Sequence, residues 1–246
     1  MTIRFLAAVA VVAAISSQAY GADTSHWTYE GHEGPAHWGE IDEKFAACGI
    51  GGEQSPVDLT GAVKGDPAEI AFHWNADADW TAVNNGHTIQ ENTSNGGTIT
   101  LDGKDYQLVQ YHFHSPSEHA ITGKTFPMEV HFVHVAKGGG IAVLGAMIEG
   151  GGQNDLFTSL MDAAPKTVGA EVAIGKGDPA KLLPDVAKFY RYQGSLTTPP
   201  CSEVVVWTVL KDASKVSDAA IKKFQELYSG NARPLQKVGR RYLLEN

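Results

Sequence analysis

The 246-residue chain has few cysteines, few basic side chains and almost no long apolar runs. Each shortage excludes something. Nineteen basic residues against 28 acidic ones leave a formal charge of −9. No lysine- or arginine-rich run offsets it, which argues against nucleic acid or an anionic membrane surface as the main partner. No repeat, low-complexity tract or linker divides the chain, and its glycines and prolines are scattered as turn punctuation. With 43% hydrophobic and 19% charged residues, the composition predicts one folded unit with a sizeable core, not disorder.

The one long apolar run lies at the N-terminus. Arg4 precedes Phe5 to Ile15, and Ala19-Tyr20-Gly21 follows with small residues flanking a cleavage point. Ser16, Ser17 and Gln18 interrupt the run too early for the roughly 20 apolar residues of a spanning helix. We therefore expect a signal peptide over residues 1–21 and a single domain over 22–246. The processed chain should have no membrane span and be periplasmic or secreted. The two cysteines, Cys48 and Cys201, suit that compartment, where an even count usually pairs. Such a bridge closes a loop of about 150 residues, worth up to ~5 kcal/mol on a loop-closure argument.

Strand signals dominate the middle of the chain. Leu108 to His114, Met128 to Val135, Ile141 to Glu149 and Glu203 to Leu210 are rich in β-branched and aromatic residues, and Gly138-Gly139-Gly140 reads as a hairpin turn. Helices are fewer. Ser217 can cap one carrying Ile221, Phe224 and Leu227 or Tyr228, with Gly230 as its stop, and a shorter one follows Asn154. The expected fold is predominantly β, with small helices around a sheet.

Within this pattern, Gln110-Tyr111-His112-Phe113-His114 alternates polar and aromatic residues, so His112 and His114 project from one strand face. On a second strand, Glu129, His131 and Val133 share a face. If the strands are neighbours, three imidazoles converge, and three nitrogens plus an open position is the pattern of catalytic zinc. One His-x-His alone is weak support for a metal. Gln110 and Glu129 each lie two residues before a histidine, on the same face, and can hold its outer nitrogen; the plainer reading makes them polar strand residues.

The surrounding motifs are more specific. Gln110 to His114, Ser117-Glu118-His119, Glu129 to His134, and Ser195-Leu196-Thr197-Thr198-Pro199-Pro200 together resemble the α-carbonic anhydrase family. So do Gln54-Ser55-Pro56-Val57, Asn84-Asn85-Gly86-His87, Val143-Leu144-Gly145 and Asn231-Ala232-Arg233-Pro234, in order from about Trp27 to Arg233. The resemblance implies a single α+β-minor domain with a central twisted, mostly antiparallel mixed sheet of about ten strands. It implies one Zn²⁺ per chain on His112, His114 and His131, and reversible hydration of CO₂ to bicarbonate and a proton by zinc-bound hydroxide.

Further roles follow from the same resemblance. Asn231 would hold His114 through its backbone carbonyl. Thr197 would orient the hydroxide and donate to Glu118, with Thr198 contacting bicarbonate. Val133, Val143, Leu196, Val205 and Trp207 would wall the CO₂ pocket, although without the resemblance they read as core. His87 would shuttle the proton, through waters ordered by Tyr29 and Asn85. His119 and His134 are assigned to structure, and Pro199-Pro200 is expected to be cis. Sulfonamide or anion inhibitors are expected at the zinc, ester hydrolysis is a possible side activity, and a homodimer is compatible with bacterial relatives. Two rivals stay in view. A non-catalytic module on the same fold would lack the histidines, and a zinc peptidase would carry a His-Glu-x-x-His helix, which is absent.

Overall fold

The computed structural model describes residues 26–246, so the expected signal peptide lies outside the described residues. Among the described residues, twelve strands form one mixed sheet. They are β1 (Val63–Lys64), β2 (Ala71–Trp74), β3 (Ala78–Asn84), β4 (Ile89–Asn92), β5 (Gly97–Leu101) and β6 (Lys104–His114). After these come β7 (Met128–Ala136), β8 (Ile141–Glu149), β9 (Glu171–Gly177), β10 (Phe189–Gly194), β11 (Val205–Lys215) and β12 (Leu244–Glu245). The spatial order is β1-β12-β10-β11-β8-β7-β6-β4-β3-β9, with β5 joining β6 to β2. Pairing is antiparallel except for β8 with β11 and β1 with β12. The main path of the sheet holds ten strands, as expected, and β2 and β5 extend it from β6.

The four α-helices among the described residues are short: α1 (Trp38–Ile41), α2 (Ala46–Ile50), α3 (Asp155–Ala163) and α4 (Asp218–Leu227). The two longer ones start as their sequences require. Asn154 Oδ1 accepts from the Phe157 N–H at 3.0 Å, and Ser217 Oγ accepts from the Ala220 N–H at 3.2 Å, each satisfying a donor that the first helical turn leaves free. Gly138, Gly139 and Gly140 all have positive φ in the turn between β7 and β8, a conformation cheap only for glycine.

Strand alternation gives the sheet two chemically different faces. Tyr111, Phe113, Val130, Phe132, Leu144 and Ala146 pack with Phe157 and Leu160 of α3 and Phe224 of α4 into the larger core. The opposite face carries His112, His114 and His131 beside a second cluster that includes Val143, Val205 and Trp207. Burying one face under helices thus leaves the other to line a cavity.

Candidate metal centre

Register brings the three histidines together. His112 on β6 sits directly opposite His131 on β7, and His114 opposite Glu129. Ring centroids are 5.0 Å apart for His112 and His114, 5.3 Å for His112 and His131, and 4.6 Å for His114 and His131. One ring nitrogen from each lies within 4.8 Å of the others.

The outer nitrogens are all held. His112 Nδ1 is 2.8 Å from Gln110 Oε1, His114 Nδ1 is 2.7 Å from the Asn231 carbonyl oxygen, and His131 Nε2 is 2.9 Å from Glu129 Oε1. A carbonyl or an ionised carboxylate only accepts, so each of these ring nitrogens carries the proton. The inner nitrogens, Nε2 of His112 and His114 and Nδ1 of His131, then present lone pairs to a common point. His114 Nε2 is buried with no hydrogen-bond partner, in a residue only 1% exposed. Three convergent neutral donors and an orphaned buried nitrogen fit a tetrahedral ion with one open position. Burial holds the protonated forms down: His112 well below the usual histidine range, His114 to about 4, and His131 lowered despite the opposing pull of Glu129.

Glu129 does more than hold one ring. Its Oε2 accepts from the backbone N–H groups of Glu118 and His119, at 2.9 and 2.8 Å, and its Oε1 also meets His119 Nδ1 at 2.8 Å. Burial alone would raise its pKa, but His119 and His131 overcome that and hold it well below the carboxylate range. From there a buried chain continues. His119 Nε2 is 2.6 Å from Tyr192 Oη, which is 2.9 Å from Ser55 Oγ, and that oxygen accepts from the Ser195 N–H. His134, by contrast, meets Trp74 Nε1 and the Ala142 carbonyl with its two nitrogens and is committed to the core.

Glu118 Oε1 accepts from the Arg233 N–H at 2.9 Å, and its unpartnered Oε2 lies 3.5 Å from His114 Nε2. Burial raises this carboxyl to about 7 against the pull of His131, Arg233 and Thr197. The Thr197 side chain hydrogen-bonds toward this carboxyl and so helps hold its pKa down. The loop carrying Thr197 is anchored at several points. Ser55 and Ser195 bond reciprocally, Trp207 Nε1 donates to the Ser195 carbonyl at 3.0 Å, and Pro199-Pro200 is cis. The loop ends at Cys201, which is disulfide-bonded to Cys48 with a Cα separation of 5.0 Å.

A cavity of about 160 Å³ opens on the histidines, lined by Gln110, Thr197 and Thr198, by Val133, Val143, Leu196 and Trp207, and by Tyr29, Asn85 and His87. Val205 is not among the lining residues; it is fully buried in the same apolar cluster as Val143 and Trp207. The His87 ring stacks on Trp27 at 3.7 Å, and Asn85 Oδ1 accepts from the N–H groups of His87 and Thr88. Trp27, Thr88 and Gln90 also line the cavity and escaped the sequence reading. Pairing would have revealed Gln90, which stands opposite His112. Gln54 and Arg233 belonged to motifs but had no role in that reading. Arg233 donates to Gln54 Oε1, the Ser55 carbonyl and the Cys48 carbonyl, and Gln54 donates to the Cys201 carbonyl, which ties the disulfide to Glu118.

A three-histidine pocket on a mixed sheet, with every outer nitrogen held and one side of the cavity apolar, could hold a single metal ion, as the site of a mononuclear metalloenzyme does. The family model for eukaryotic-type carbonic anhydrase matches residues 33–245. A carbonic anhydrase of Neisseria gonorrhoeae is 42% identical over 99% of this chain and 98% of its own length, and one of Pectobacterium carotovorum is 37% identical over 96% and 97%. Among solved structures, the α-carbonic anhydrase of Thermovibrio ammonificans in complex with the inhibitor sulfanilamide superposes with a TM-score of 0.86. It is 40% identical, with 89% of this chain and 99% of that one covered. The chain belongs to the α-carbonic anhydrase family, a family of enzymes whose activity is CO₂ hydration.

Proposed function

We propose that this chain hydrates CO₂ reversibly at a single zinc ion held by His112, His114 and His131. The observation that carries the reading is the convergence of three neutral imidazole lone pairs whose opposite nitrogens are all hydrogen-bonded. Zinc bound there supplies Lewis acidity that makes water a nucleophile at neutral pH.

The remaining chemistry belongs to the protein. Gln110, Glu129 and the Asn231 carbonyl fix ring direction and tautomer. Thr197, with Glu118 behind it as acceptor, orients the proton of the attacking oxygen, and Thr198 faces the product. Val133, Val143, Leu196 and Trp207 favour a substrate without charge or dipole, and Val205 packs in the same apolar cluster. His87 accepts the released proton through waters in the channel beside Tyr29 and Asn85. Its pKa is lowered by partial burial and then by His26, so the ring is neutral near pH 7 and ready to accept.

Sulfonamides and small anions should compete for the open position, and ester hydrolysis should be a side activity of the same nucleophile. The disulfide suits an exported protein in the periplasm or outside the cell, and no helix among the described residues is long and apolar enough to cross a membrane. The deciding experiment is stopped-flow CO₂ hydration with and without a zinc chelator. Activity should vanish with the chelator and return with added zinc; activity indifferent to both would overturn the reading.

A further inference from the structure

The core behind the histidines contains a carboxyl that the reaction does not use. Glu91 on β4 stands opposite Tyr111 of β6 and Ala82 of β3. Its neighbour Gln90 stands opposite His112, so alternation turns Glu91 to the face away from the metal ligands. It is 0% exposed, and neither carboxyl oxygen has a hydrogen-bond partner.

Its neighbours on that sheet face are apolar or aromatic. The same sheet face carries Trp80 and Ala82 on β3, Ile89 on β4 itself, and Phe132 on β7 beyond Tyr111, all buried. The Tyr111 phenol is the titratable group directly opposite Glu91, and His134 lies on the same face two residues beyond Phe132; among the described residues neither it nor any charged side chain offsets the burial of Glu91. Burial first, and Glu91 second, hold that phenol well above its usual range, so it is neutral throughout the physiological span. An ionised carboxylate without a partner is far costlier to bury than a neutral acid. Consistent with this, burial alone pushes Glu91 up to about 8.

We propose that Glu91 is held in the folded sheet as a neutral carboxylic acid, so that folding of this chain takes up a proton across the neutral range. An exposed carboxyl in the unfolded chain titrates near 4.5, whereas the folded one keeps its proton to about 8. Between those values the folded state binds one more proton than the unfolded state. The contribution of Glu91 to stability is therefore greatest below the lower value. It falls as pH rises through the window, by up to about tenfold in the folding constant per pH unit, and levels off above the upper value. In the hydration direction the proposed reaction releases a proton, which shifts its surroundings toward the pH at which the folded chain is more stable. The linkage does not depend on the zinc reading, because Glu91 faces away from that centre.

The test compares the zinc-loaded wild type with Glu91→Gln by chemical denaturation from about pH 5 to about pH 9. The metal centre titrates alike in both and cancels in the difference. Wild type should lose ground to the variant by up to about tenfold per unit until about pH 8 and hold a constant gap beyond it. Parallel stability curves, or a wild type that gains on the variant as pH rises, would overturn the proposal. If Glu91→Gln does not fold, Glu91→Val serves as the reference. Infrared titration of the wild type gives a second readout: a protonated-carboxyl band should persist at neutral pH and be missing from the variant. A band of equal strength in both proteins would count against Glu91 as its source.

Discussion

At the scale of single residues, the site depends on atoms that have no room to move. Gly145 on β8 lies opposite His131, and a Cβ there would come within 2.9 Å of Glu129 Oε1. Gly145→Ala should displace Glu129 from His131 and lower zinc affinity by about 10- to 100-fold, the usual cost of losing an outer-shell partner, as read by chelator competition. His87→Ala should slow proton release by at least tenfold at saturating CO₂ while leaving kcat/KM and the melting temperature near wild type, and imidazole buffer should restore it. Because burial and then His26 lower the pKa of His87, the acid limb of the wild-type kcat profile should lie below the ordinary histidine value. A limb at or above that value would remove His87 from the path. The three convergent histidines were legible from His-x-His alternation and from the motifs around them. Glu91 was not legible: a glutamate in Gln90-Glu91-Asn92 reads as a polar strand residue until the register shows which face is covered.

At the scale of elements, β6, β7 and β8 were readable because each is long and rich in β-branched or aromatic residues, and α3 and α4 because they begin on clear caps. Strands β1 and β12 were not, since two residues pair only because distant chain delivers their partners. The threonine loop is a case between these. Its sequence marks it, but its rigidity comes from Ser55, Trp207 and the bridge to Cys48. Cys201, a non-glycine residue, is held at a φ of 55°, where side chains crowd the backbone. Cys201→Ser, or reduction of the wild type, should cost about 2–5 kcal/mol in denaturant titrations and lower kcat/KM by relaxing Thr197. Unchanged midpoint and activity in the reduced protein would show that the loop holds itself.

At the scale of the whole molecule, the zinc proposed for the preformed donor set would act as a stabilising ligand. The metal-free protein should melt lower than the zinc form, by about 4 kcal/mol of stability when free zinc exceeds its dissociation constant a thousandfold. His114→Ala should abolish that zinc-dependent rise; a rise that survives would place the ion elsewhere. The predominantly β architecture was legible from strand spacing, but the order of strands was not, because sequence shows which segments pair only when they are neighbours. Val63 meets Leu244, Ala78 meets Gly177, and Tyr190 lies between Val209 and Glu245. Partners so far apart along the chain must find one another before either gains from the encounter, and closing such long loops comes first. Time is the consequence. The sheet that holds its site so firmly should be slow to assemble, and while it waits its unpaired strands stand open to other chains, so refolding yield should fall as protein concentration rises.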